Sequence, residues 1–302
     1  MSALANSLLH PKFWAHWLII ILLRIIISLP FNMQIIIARK LGYILYRFSF
    51  RRRHIVETNI RMCFPELDAS KQQELIRDIF FQNSIGFFEI ASAWWAKEEC
   101  IKDRYEIKGL EYIEKARSND GGILLLGAHY THLDLCGIMI SQVIPIDIVY
   151  RKNNNRVFEK VISNGRKKFF DAILDRSELR KIVQRLRAGR IVWYTPDQDF
   201  GGKHSIFAPF FGVIASTITT PARLSAMGNA IPIGVHFYRD PNTHKYFINF
   251  KPIDESYPTG DDYQDACLLN RSIEKDIRKQ PDQYMWVHRR FKTRPNGEKS
   301  LY

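Results

Sequence analysis

Gly127-Ala-His129-Tyr-Thr-His-Leu-Asp134 directly follows the apolar run Ile123 to Leu126 and carries an imidazole and a carboxylate five residues apart. An imidazole steadied by a carboxylate takes a proton from a hydroxyl near neutral pH, which acyl transfer to an alcohol requires. Along a continuous helix five residues turn through about 500°, leaving the two side chains about 140° apart. Contact between His129 and Asp134 therefore requires the chain to turn between them, as at a strand-to-helix junction.

Two more polar blocks follow apolar runs. Tyr150-Arg151-Lys-Asn-Asn-Asn-Arg156 comes after Ile146 to Tyr150. Pro196-Asp197-Gln-Asp199-Phe-Gly201 comes after Ile191 to Tyr194, and continues through Phe207–Gly212 to Thr217-Ile-Thr219-Thr-Pro221. Sites in open α/β sheets collect at the carboxyl ends of strands, so three such blocks point to one site. Asp197 and Asp199 suit either substrate positioning or Asx turns. Thr217, Thr219 and Thr220 suit a helix N-terminus, and Phe207–Gly212 the wall of a channel. His132 with His129 and Asp134 has neither the helical i,i+4 spacing nor the nearby Cys or His of a metal site, so it reads as a packing residue. No Gly-x-Ser-x-Gly elbow of a serine hydrolase occurs.

Positioning these blocks requires strands and helices in alternation. Ser70 to Ile90 and Ser177 to Arg187 have helical periodicity, the first capped by Ser70 and the second ending near Gly189. Ala230–Phe237 and Tyr246–Phe250 read as further strands joined through the turn Asp240-Pro-Asn-Thr. Apolar rather than alternating strands predict an α/β fold with a mixed, largely parallel central sheet flanked by helices. With no repeat and no linker, residues 54–302 form one catalytic domain.

The chain has 302 residues, 46% hydrophobic, and 44 Lys and Arg against 31 Asp and Glu, a net charge of +13. That balance favours anionic partners. No nucleic-acid-binding module is recognisable. Cys63, Cys100, Cys136 and Cys267 lie far apart and read as reduced thiols, with Cys136 in the core. Phe13 to Leu29 is almost wholly apolar, close to the shortest length that spans a bilayer, and Pro30 ends it. Arg39, Lys40, Arg47, Arg51, Arg52 and Arg53 follow without an acidic residue. Residues 1–53 thus read as an N-terminal membrane-anchoring helix, single-pass or monotopic, with a basic interfacial helix beside anionic lipid and the catalytic domain in the cytoplasm.

Together with Asn59-Ile-Arg-Met-Cys-Phe-Pro-Glu-Leu67, Phe207–Gly212 and Gln283-Tyr-Met-Trp-Val-His-Arg-Arg-Phe-Lys-Thr-Arg-Pro295, these blocks resemble the bacterial lipid A biosynthesis (late or secondary) acyltransferases of the HtrB type. These stand within the wider His-x4-Asp/Glu glycerolipid acyltransferases; many members carry Glu where this chain has Asp134. The resemblance implies a bacterial inner-membrane enzyme moving a fatty acyl chain from an acyl carrier protein thioester to a hydroxyl. That hydroxyl belongs to a 3-hydroxyacyl chain on a Kdo-bearing lipid A precursor. It also implies His129 as base and Asp134 as its orienting carboxylate, with Arg151 and the backbone amides after the strand as candidate oxyanion donors, and no metal or cofactor. Arg156, Arg166, Asp197, Asp199 and Thr219 are the expected substrate-binding residues, and His288 to Arg294 the expected headgroup contacts. An acyl-chain tunnel should open beside His129. The alternatives are another glycerolipid or glycolipid acyltransferase, or a membrane-anchored lipid-binding protein without activity.

Overall fold

The computed structural model describes residues 8, 10–95, 101–118 and 121–302; Cys100 lies outside them. Among the described residues four α-helices come first: α1 (Trp14–Ile27), α2 (Phe31–Phe48), α3 (Phe50–Cys63) and α4 (Ala69–Trp95). Pro30 stops the apolar run, and Gln34 Nε2 donates to the carbonyls of Ile27 (3.3 Å) and Leu29 (2.9 Å), closing the end of α1. The chain then doubles back as α2 along α4. The backbones meet so closely that a Cβ on Gly42 would lie 2.9 Å from Phe81 Cα. α1 has 14 residues, about 21 Å of helix against a hydrocarbon layer of about 30 Å. Among the described residues, no helix is long and apolar enough to cross a membrane. The expected apolar segment is a surface helix, with Trp14 64%, Leu18 58% and Ile25 54% exposed, beside Ile36 (57%) and Tyr43 (68%) of α2. α3 runs through position 53 unbroken and buries Ile55, Val56 and Ile60.

Beyond α4 strands and helices alternate: β1 (Tyr105–Lys108), α5 (Leu110–Arg117), β2 (Ile123–Leu126), α6 (Leu133–Ser141), β3 (Ile146–Tyr150), α7 (Arg156–Arg166), β4 (Ile173–Asp175), α8 (Leu179–Arg187) and β5 (Ile191–Tyr194). A hairpin, β6 (Ser205–Phe210) and β7 (Val213–Ile218), is followed by α9 (Thr220–Gly228), β8 (Ile231–Arg239), β9 (Tyr246–Pro252) and α10 (Asp262–Ile277). Seven strands form one sheet in the order β1-β9-β8-β2-β5-β3-β4, parallel throughout except for β8 against β9. β2 and β5 are buried at every residue, which explains why they read as unbroken apolar runs. Cys136 is fully buried in this core, and Trp94 is buried while Trp95 is partly so.

The hairpin corrects one expectation. Thr217 lies in β7, paired with Ile206 across an antiparallel ladder, and not at a helix N-terminus. Phe210 and Phe211 face the core, where Phe211 packs against Phe64 and Trp286, so this stretch builds packing and not a channel wall.

His132, His236 and His288 are largely enclosed, and burial lowers each pKa from 6.5 to about 4. Between pH 6.5 and 4 the unfolded chain therefore binds more protons than the fold. Stability present above pH 6.5 is lost as pH falls through that window, at up to about 1.4 kcal/mol per pH unit for each ring. Unfolding titrations at pH 7 and pH 5 should differ by on the order of 5 kcal/mol. Equal stability at the two pH values would rule this out.

Candidate active site

β2 and β5 are parallel neighbours with Leu126 paired to Tyr194. Three residues beyond each partner stand His129 and Asp197, so equal offsets from one rung bring them side by side. His129 Nδ1 lies 2.6 Å from Asp197 Oδ1, and the His129 backbone N–H donates to Asp197 Oδ2 at 3.0 Å. A carboxylate only accepts, so the Nδ1 proton is held on Asp197 and Nε2 keeps its lone pair, 3.4 Å from Thr195 Oγ1. Asp197 is 2% exposed. Burial raises its pKa, but His129, its backbone N–H and the Tyr284 hydroxyl more than reverse this and hold the carboxyl below the usual range.

Asp134 does not hold His129. It sits in the first turn of α6 and accepts from Arg166 Nη2 at 2.5 Å, linking α6 to the end of α7. Among the described residues no hydrogen bond or ion pair joins it to His129. The reason is local: Leu133 N–H bonds back to the Tyr130 carbonyl, starting α6 and turning Asp134 toward α7. Arg166, also stacked 4.8 Å from the Tyr150 ring, is thereby engaged inside the protein.

Equal offsets recur across the sheet. Tyr150 of β3 pairs with Asp175 of β4, and the next residue on each strand is an arginine, Arg151 and Arg176. His129, Val149, Tyr150, Arg151, Arg176, Tyr194, Thr195 and Phe200 line one cleft of about 130 Å³. Beside it, sharing Val149, Tyr150 and Thr195, is a slot lined by Leu133, Gly137, Ile148, Phe170 and Trp193 together with the Asp134–Arg166 pair. At about 40 Å³ it is no fatty-chain-sized tunnel, and Phe170 and Trp193 are among its walls.

The other expected site residues are elsewhere. Arg156 is exposed at the first turn of α7 and Thr219 is buried before α9, its hydroxyl donating to the His204 carbonyl; neither lines the cleft. Asp199 is spent on the protein, accepting from Thr293 N (2.6 Å), Thr293 Oγ1 (2.8 Å) and Gly201 N (2.9 Å). His132, fully buried among the rings of Tyr130, Phe237 and Tyr246, is the packing residue expected.

Residues 283–295 act as a strap. Met285 N donates to the His129 carbonyl and the Gln283 carbonyl accepts from Thr131 N, both at 3.0 Å. Gln283 is itself locked to the backbone of Arg239 by two bonds. Asn59 Nδ2 ties down the carbonyls of Trp286 and His288. Arg290, expected among headgroup contacts, is 2% exposed and donates to the Ser216 carbonyl and Thr217 Oγ1, because it closes the strap onto β7. Sequence reasoning missed Thr195, Arg176, Tyr284 and the pairing role of Asp197. Only the last had a usable signal, its equal offset from a neighbouring strand.

Comparison with known proteins follows the same line. A family model described as bacterial lipid A biosynthesis acyltransferase matches residues 1–293. The chain is similar to the lipid A biosynthesis palmitoleoyltransferase of Escherichia coli K12, 34% identical over 300 residues, covering 99% of this chain and 97% of that one. It is likewise 34% identical over 299 residues to the lauroyltransferase of that strain (99% and 98% covered), and 28% identical over 301 residues to its myristoyltransferase (98% and 93%).

Proposed function

The chain belongs to the bacterial lipid A biosynthesis acyltransferases, and we propose that it moves a fatty acyl chain from an acyl carrier protein thioester to the hydroxyl of a 3-hydroxyacyl chain on a Kdo-bearing lipid A precursor. The observation that carries this reading is the 2.6 Å pairing of His129 Nδ1 with a buried carboxylate, with the Nε2 lone pair turned to Thr195 Oγ1 in a cleft. Nε2 takes the acceptor's hydroxyl proton as its oxygen attacks the thioester carbonyl. Asp197 steadies the imidazolium, and Arg151 with Arg176 faces the oxyanion. The tetrahedral adduct then expels the thiolate, which recovers the proton from His129. Asp134 with Arg166 lines the slot beside the cleft, while Asp199 and Thr219 set loops around it.

Partners follow from charge. Exposed Arg156, Lys167 and Lys168 offer an acidic carrier protein a basic face. Residues 1–53 are the membrane-facing part and 54–302 the catalytic part: α1 and α2 lie in the cytoplasmic surface of the inner membrane, their exposed apolar side chains in the lipid and the neighbouring bases against anionic headgroups.

The test is purified protein with the Kdo-bearing precursor and a panel of acyl carrier protein thioesters, read by product mass. No acylated product, or preference for lysophosphatidate or glycerol 3-phosphate, would reject the substrate. The same panel tests the slot as the seat of the acyl terminus. A Cβ at Gly137 would lie 2.8 Å from Trp193 Cζ3, so Gly137→Ala should shift the preferred chain shorter. Phe170→Leu should shift it longer. An unmoved chain-length profile in both variants places the acyl chain elsewhere.

A further inference from the structure

A cavity of about 450 Å³, whose lining does not include His129, lies between the α1–α2 turn, the end of α4, Leu135 of α6 and β9. The reaction described above does not use it. Its lining holds two guanidinium groups with no carboxylate partner among the described residues. Arg24 of α1 lies 5.1 Å over the ring of Trp95, and Arg104 lies 5.1 Å over Phe31 and 5.7 Å over Tyr246. Each is held by an aromatic face that leaves its N–H edge available. The lining also includes Glu89, 3% exposed. Its Oε1 accepts from Arg239 Nε (2.8 Å) and the Tyr246 hydroxyl (2.7 Å), whereas its Oε2 is buried with no partner. Glu89 and Arg239 cancel, so the cavity carries two net positive charges, and Glu89 Oε2 is an unfilled acceptor buried in its wall, on a residue that also interacts with His132. Arg24 stands among Ile21, Leu22 and Ile25, each about half exposed, on the apolar outer face of α1.

An anion with a hydrogen-bond donor a few bonds away, delivered from an apolar phase, satisfies all three features. We propose that this cavity holds the headgroup of a bilayer glycerophospholipid of the phosphoglycerol type, its phosphodiester on Arg24 and Arg104 and a glycerol hydroxyl donating to Glu89 Oε2. A net neutral headgroup ending in an ammonium brings no net charge to offset the two guanidinium groups, whereas a phosphoglycerol headgroup brings one negative charge. A simple alkyl phosphodiester leaves the Glu89 oxygen unfilled.

Flotation with phosphatidylcholine vesicles carrying equal fractions of either phosphatidylglycerol or phosphatidylmethanol separates this from plain charge attraction, since both additions bear one negative charge and only the first bears hydroxyls. The full chain should bind the phosphatidylglycerol vesicles about five-fold more tightly, the worth of one buried hydrogen bond. R24Q/R104Q should weaken binding to both and erase that ratio. R47Q/R51Q, on exposed bases outside the cavity, should weaken both and keep it. Thermal melts establish that the variants are folded, and R24Q alone gives the same reading if the double variant is not. A wild-type ratio of one, a ratio that survives R24Q/R104Q, or a ratio abolished by saturating lipid A precursor overturns the proposal. Vesicle binding is independent of turnover, so its failure leaves the acyltransferase reading untouched, and the reverse holds too.

Discussion

His129→Ala should lower kcat by about 10³-fold, within the range of 10²–10⁴ typical of a lost general base, while the protein stays folded. The ring is 20% exposed and contributes little core packing. Its neighbours Thr131 and Met285 are held through backbone bonds that the substitution keeps. A thermal midpoint within a few degrees of wild type, alongside the lost turnover, separates a catalytic defect from a folding defect. A protein that only binds lipid would show no such loss, and turnover within ten-fold of wild type would remove His129 from the chemistry.

The second large effect concerns which carboxylate matters. Asp197→Asn keeps the shape of the side chain but removes the charge that fixes the imidazole's tautomer and stabilises its protonated form. A loss of about 10³-fold or more in kcat is expected, by the logic of the orienting carboxylate in a catalytic triad. Because the two residues act as a unit, the double variant with His129→Ala should be scarcely worse than His129→Ala alone. Asp134→Asn should behave differently. It weakens the 2.5 Å bond to Arg166 that joins α6 to α7, so it should cost about 2 kcal/mol of stability and less than about ten-fold in kcat, because no reacting atom loses a partner. Single-turnover rates of the three variants, each checked by melting, decide the matter. If Asp134→Asn proved the more damaging of the two, the carboxylate five residues from His129 would be its functional partner after all.

The local elements were legible because their signals are local. The apolar runs of β2, β3 and β5 sit between helical periodicities, and a parallel sheet covered on both faces leaves that pattern. β1 and β4 were not legible: at four and three residues, with Glu106, Lys108 and Asp175 among them, they carry too little periodicity to register. The β6–β7 hairpin was hidden by residues that suit turns and caps equally well.

At the site, residue type and position along the chain singled out His129, Arg151 and Asp197 from sequence, since each stands just past a buried strand. Pairing was another matter. Proximity in sequence suggested Asp134 as the partner of His129, yet α6 begins between them and carries Asp134 to Arg166. β2 and β5 are about 68 residues apart in sequence but share a rung, and that rung delivers Asp197 to the imidazole. In the same way Phe13 to Leu29 announced an apolar helix, while Pro30 and the packing of α2 on α4 decided that it lies along the surface. Composition and spacing determine which groups are present and which local element bears them. Which groups touch is decided by strand order and helix direction, because neighbours in a sheet are set by burial of the whole layer and not by separation along the chain.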